Sequence, residues 1–133
     1  MSFLLFQGAL ALYLLATADH LVFFVSEKGA LRTIARFLFV LAFLLHSGAI
    51  LVRFFEAGYF PVVTGYEKLS FFAWALGCGY LSFYWRYEVQ NLGAFVSLLS
   101  LSLMASALCL PRASAVLSPQ LQSAWLPVHA SFS

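Results

Sequence analysis

His129 and Trp125 stand four residues apart on either side of Pro127, in the run Leu121-Gln122-Ser123-Ala124-Trp125-Leu126-Pro127-Val128-His129. Pro127 has no backbone N–H to donate and disfavours helical backbone at Leu126, so a helix is expected to start at about Pro127. His129 then falls in the first turn of that helix. What precedes it is apolar, so the helix is expected to start at the water boundary of a membrane. An imidazole placed there can ligate a metal or a cofactor held at the membrane surface. Trp125 is the residue type that anchors a chain at that boundary. The same histidine can equally be an interface residue that hydrates at a helix start, and the residues alone leave both readings open.

Three more ionisable groups lie inside apolar stretches: Asp19, His20 and His46. Such groups are costly in a bilayer and face the protein interior. His46 reads either as a ligand or proton-relay residue, or as a neutral imidazole hydrogen-bonded within a helix bundle. Asp19 is expected to pair with His46 or Arg36, and His20 to be a packing residue near the opposite boundary. Glu67, just after Pro61-Val62-Val63-Thr64-Gly65, suits the first turn of a helix capped by Thr64 or Gly65. The chain has no Gly-rich phosphate loop, no Ser/His/Asp set and no metal-ligand pair at i, i+4, so no enzyme constellation is visible. Cys78 and Cys109 form neither a CxxC pair nor a CxxCH haem-attachment site and read as small buried hydrophobes.

The elements that must position these groups follow from composition. The chain has 133 residues, 63% hydrophobic and 9% charged, with a mean hydropathy of +0.94. Soluble domains carry about 25% charged residues, so the bilayer is the expected solvent. A net charge of +2 with scattered basic residues excludes a nucleic-acid partner. Four apolar segments, at roughly 3–25, 37–55, 69–85 and 92–110, approach the ~20 residues that cross a membrane. A fifth starts near Pro127.

The expected fold is all-α: a polytopic transmembrane helix bundle of four full spans plus the start of a fifth, in a single integral-membrane domain over residues 1–133. A span cannot end after one or two turns, so the chain is expected to be an amino-terminal piece of a longer protein. Ala16-Thr17-Ala18 resembles a signal cleavage site. However, no basic residue precedes it and apolar character resumes at Leu21, so the first segment is expected to be a retained anchor.

Lys28, Arg32 and Arg36 cluster between the first two segments, which places that loop in the cytoplasm and the N-terminus and His129 outside. Ala73-x-x-x-Gly77, Ala75-x-x-x-Gly79 and Ser102-x-x-x-Ser106 place small residues four apart, a spacing that lets helices approach closely in lipid.

Two motifs in sequence carry a resemblance. One is Arg53-Phe54-Phe55-Glu56-Ala57-Gly58-Tyr59-Phe60-Pro61 followed by Tyr66-Glu67-Lys68-Leu69-Ser70-Phe71-Phe72-Ala73-Trp74. The other is the run from Leu121 to His129, with Leu92-Gly93-Ala94-Phe95-Val96-Ser97 between them. In this order, over roughly residues 30–133, the chain resembles the amino-terminal half of the cytochrome c assembly proteins CcsA and ResC, including their HemX-like relatives. The resemblance implies a system II component that binds haem and presents it to apocytochrome c on the outer face of the membrane. It implies a CcsB/ResB-type partner in a bacterial inner membrane or a thylakoid-type membrane. By motif, His129 matches the first of the family's outward histidines, and Trp125 would pack near the porphyrin.

Two features depart from the family. Thr64-Gly65-Tyr66-Glu67-Lys68 stands where it usually has an Asn-x-Tyr-Glu-Ser run, and the tryptophan-rich segment with its later histidines is missing. The missing segment keeps open an alternative of another class, a HemX-like membrane regulator or scaffold that affects haem synthesis without ligating haem.

Overall fold

The computed structural model describes residues 1–87, 89 and 91–112. Four helices follow one another: α1 (Ser2–Ser26), α2 (Gly29–Ala57), α3 (Gly65–Tyr87) and α4 (Leu92–Leu108). The described residues contain no strand. α1 packs along α2, α3 along α4, and α4 returns against α1. The described part is thus an all-helical bundle of two helical hairpins. Trp125, His129 and the expected start of a fifth helix lie outside the described residues.

The packing follows from one sequence period. Buried positions recur every three and then four residues on each helix. They are Phe6, Ala9, Tyr13, Ala16 and His20 on α1, and Ala35, Phe39, Ala42, His46 and Ala49 on α2. On α3 they are Tyr66, Ser70, Ala73, Gly77, Tyr80 and Tyr84, and on α4 Gly93, Ser97, Ser100, Met104 and Ala107. A 3–4 spacing keeps one narrow stripe facing its neighbours, as in coiled coils.

Apart from Phe6, Phe39 and Met104, the stripe consists of small residues, tyrosines and other polar side chains, while the outward faces carry Leu14, Phe24, Phe37, Leu44, Phe72 and Phe95. A water-soluble bundle distributes them the other way round. With lipid as solvent, hydrophobic burial does not drive helices together, and close contact through small residues does. α1 and α2, at 25 and 29 residues, are long and apolar enough to cross a membrane, and α4 is an apolar helix of 17 residues.

The structure corrects several expectations. α2 starts at Gly29 rather than near residue 37, so only Glu27 and Lys28 connect α1 to α2, and Arg32 and Arg36 are helical. Long basic side chains lie along a helix end while their charges reach for water, so a charged first turn does not stop a membrane helix. Ala73 and Gly77 are buried as expected, but Ala75, Gly79, Ser102 and Ser106 face outward. The 3–4 stripe, not the lone four-residue spacing, decides which small residues meet a neighbour. Ser102 and Ser106 instead donate to the carbonyls of Leu98 and Ser102, one turn back. Cys109 is exposed and Cys78 partly so.

At Gly93 a small residue is compulsory. A Cβ added there would lie 2.5 Å from His20 Nε2 and 2.7 Å from the Tyr80 hydroxyl. The glycine lets α1 and α3 side chains reach the start of α4, where Ser97 Oγ lies 3.4 Å from His20 Nδ1. At Gly58 the need is conformational. Its φ of 75° ends α2 with a left-handed residue whose N–H bonds to Phe54 O.

Candidate functional site

The described residues converge most densely at the end of the bundle where α2 stops and α3 starts. Glu67 is the centre. It is 1% exposed at the side chain, and both carboxylate oxygens are satisfied. Oε1 accepts from Arg53 Nε at 3.1 Å and from the Tyr59 hydroxyl at 3.1 Å. Oε2 accepts the backbone N–H groups of Val63 and Thr64, each at 3.0 Å. Thr64 Oγ1 in turn accepts the Glu67 N–H at 3.2 Å. This is a capping box: threonine and glutamate, three residues apart, satisfy each other's orphan donors at a helix start.

The capping role expected for Glu67 holds, with Thr64 rather than Gly65 as partner. A second role was not foreseen. The same carboxylate clamps Arg53 of α2, whose NH2 group lies 3.0 Å from Oε1 and also donates to the Arg112 carbonyl just beyond α4. One acidic residue thereby ties α2, α3, the 58–64 loop and the chain after α4. The available signal was that Arg53 and Glu67 open and close the stretch around Pro61. Without the bundle's geometry nothing said that they touch.

His46 sits on the α2 stripe and is fully buried. Nε2 lies 2.9 Å from Ser70 Oγ on α3, and Nδ1 lies 3.5 Å from the Tyr13 hydroxyl on α1. The rings of Tyr13 and Phe6 stand nearly perpendicular to it, with centroids 5.8 and 6.1 Å away. Of the two openings expected for His46, the geometry matches hydrogen bonding within the bundle. Asp19 makes no ion pair with His46 or Arg36; the ion pairs among the described residues are Met1–Glu56 and Arg53–Glu67. Asp19 is half-buried and lies one position off the α1 stripe occupied by His20, so it does not face them.

α2 and α3 meet chiefly through long side chains. Trp74 Nε1 donates to Ser47 Oγ at 2.8 Å, and the Trp74 ring stacks on Phe43 at 5.9 Å between centroids. The gap between the two helices is a lateral apolar groove of about 450 Å³, walled by Leu51, Phe54, Phe60, Phe71 and Trp74. It can take hydrocarbon or a flat ring, and its walls offer almost no polar group to orient one.

Comparison with known proteins decides the family. Over 128 residues the chain is 34% identical to "Cytochrome c biogenesis protein CcsA" of Parasynechococcus marenigrum strain WH8102, covering 93% of this chain and 41% of that protein. It is 32% identical over 132 residues to the CcsA of Prochlorococcus marinus strain NATL1A, with the same coverage of 93% and 41%. The chain belongs to the CcsA family. To the CcsA of a Synechocystis strain it is 39% identical over 83 residues, which is 59% of the chain and 25% of that protein. The chain therefore spans about two-fifths of the length of CcsA relatives that it matches. No family model and no solved structure matches it. CcsA similarity and two apolar helices of spanning length point to a membrane protein.

The family implies haem. The described residues do not by themselves fit a haem iron. Their histidines, His20 and His46, are both buried on helix stripes with ring nitrogens near hydroxyls. No group of three or more His, Cys, Asp or Glu side chains among the described residues is arranged to hold a metal ion. His129, the expected ligand, is outside the described residues.

Proposed function

We propose that this chain is part of a membrane component of system II cytochrome c biogenesis that binds haem and presents it to apocytochrome c on the outer face of the membrane. The observation that carries the proposal is the match to proteins named for cytochrome c biogenesis along 93% of the chain. Those names favour a biogenesis role over a HemX-like regulator. All four helices would cross the membrane, a reading supported by the large apolar side chains on the outward faces of α3 and α4 as well as α1 and α2.

In this arrangement the Glu67–Arg53 end faces outward together with the N-terminus and the chain after α4. His129 would be an axial ligand to haem iron there, with Trp125 packing near the porphyrin or anchoring the helix. The protein's share of the chemistry is binding and orientation. His46 would remain inside the bundle as a hydrogen-bonded packing residue rather than a ligand. A CcsB/ResB-type partner would complete the machinery in a bacterial inner membrane or a thylakoid-type membrane.

The test is genetic. Cells lacking the gene are complemented with the full-length protein, wild type or His129→Ala, and covalent haem in membrane c-type cytochromes is measured by in-gel peroxidase staining. Wild type restores the stain, and His129→Ala lowers it roughly tenfold or more, the scale on which metal-site partners act. Normal c-type cytochromes in the deleted strain would overturn the assignment.

A further inference from the structure

The two ends of the α2 stripe are charged, and among the described residues only the Arg53 end has a carboxylate partner. Continuing the 3–4 spacing from Ala49 reaches Arg53, which is paired with Glu67. Continuing it the other way from Ala35 reaches Arg32 and then Lys28, with Arg36 one turn along from Arg32. Arg32 and Arg36 thus share a face of α2 at i and i+4, with Lys28 at the N-cap just before it. Neither Arg32 nor Arg36 has a carboxylate within ion-pair distance among the described residues.

Both arginines are held by Tyr84 of α3. The Arg32 NH2 group lies 3.4 Å from the Tyr84 hydroxyl, and the Arg36 guanidinium sits over the Tyr84 ring at 4.4 Å. The Nε atoms of both are buried without a hydrogen-bond partner. A guanidinium has five N–H donors, so this pair is fixed in place with most of its donors unspent. Arg32 also lies in the first turn of α2, where the helix dipole is positive and a cation is disfavoured. Two clustered cations in such a place are stabilised by an anion with several acceptor oxygens.

The surroundings say which anion. Next to the pair, the outward face of α2 carries Ile34, Phe37 and Leu41, all exposed. An anion at this point therefore borders the hydrocarbon face of a helix of membrane-spanning length. We propose that Arg32 and Arg36, positioned by Tyr84 and assisted by Lys28, bind the phosphate of an anionic phospholipid at this end of the bundle. Guanidinium pairs bind phosphate oxygens through parallel N–H donors, and basic pockets between membrane helices hold acidic headgroups. The lipid takes the place that Glu67 fills for Arg53 at the opposite end. The proposal is independent of haem binding.

Native mass spectrometry of the full-length protein tests it. The protein is equilibrated in detergent with equal amounts of phosphatidylglycerol and phosphatidylcholine, and the bound lipid is identified. Wild type should retain phosphatidylglycerol in preference by roughly tenfold, given two clustered arginines. Arg32→Gln combined with Arg36→Gln should abolish the preference, and Arg86→Gln should keep it. Inorganic phosphate at millimolar concentration should not displace the lipid. Equal retention of the two lipids by wild type overturns the proposal without reference to any variant. So does an equal loss in Arg86→Gln, and displacement by inorganic phosphate would make this a soluble-anion site instead.

Discussion

Glu67→Ala is expected to destabilise the protein by about 3–5 kcal/mol, the cost of stranding one member of a buried ion pair. Arg53 would keep its charge at 14% side-chain exposure with no carboxylate beside it. The Tyr59 hydroxyl and the N–H groups of Val63 and Thr64 would lose their acceptor in the same step. Thermal unfolding in detergent, followed by helix circular dichroism, measures the loss. Removing both charges distinguishes the pair's net worth from the cost of an orphan. Arg53→Met with Glu67→Leu should recover a large part of the stability, because a buried pair is offset by its own desolvation. The recovery should be incomplete, since Leu cannot accept the two loop N–H groups. A single Glu67→Ala that unfolds like wild type would show that the clamp contributes nothing.

His46→Ala is expected to cost roughly 2–4 kcal/mol, chiefly through the cavity it leaves on a filled stripe. The hydrogen bond to Ser70 is the smaller part. Interhelical hydrogen bonds in membranes average about 0.6 kcal/mol because the unfolded state in lipid also finds partners. Ser70→Ala should therefore cost well under half of what His46→Ala does, although both break the same 2.9 Å contact. The same unfolding experiment compares them. Equal losses for the two variants would mean that the hydrogen bond, not the packing of Phe6 and Tyr13 around the ring, holds this layer together.

The helices were legible because apolar length and the Pro/Gly-rich turn around Pro61 leave few alternatives for residues 2–108. Which face of each helix points inward was legible only in part. Searching for small residues four apart finds Ala73 and Gly77 but also Ala75 and Gly79, which face out. The discriminating signal is the 3–4 repeat that joins Ser70, Ala73, Gly77 and Tyr80, and polar residues belong to it as fully as alanines do. Hydropathy cannot reveal a stripe in which serine, histidine and tyrosine count as interior residues. The bond between Arg53 and Glu67 was hidden for another reason. A glutamate in a first turn already has a sufficient local explanation in the helix start, and only the fold brings a cation from the preceding helix onto it. The expected ionic partner for Asp19 failed similarly, since the aspartate lies one position off the stripe occupied by His20.

In the proposed function this CcsA-family protein holds haem through His129. The most direct measurement is the visible spectrum of the full-length protein purified in detergent, as wild type, His129→Ala and His46→Ala. A Soret band in wild type that collapses in His129→Ala and persists in His46→Ala is the predicted result. No Soret band in wild type even after haem is supplied, or a band indifferent to His129, would contradict it.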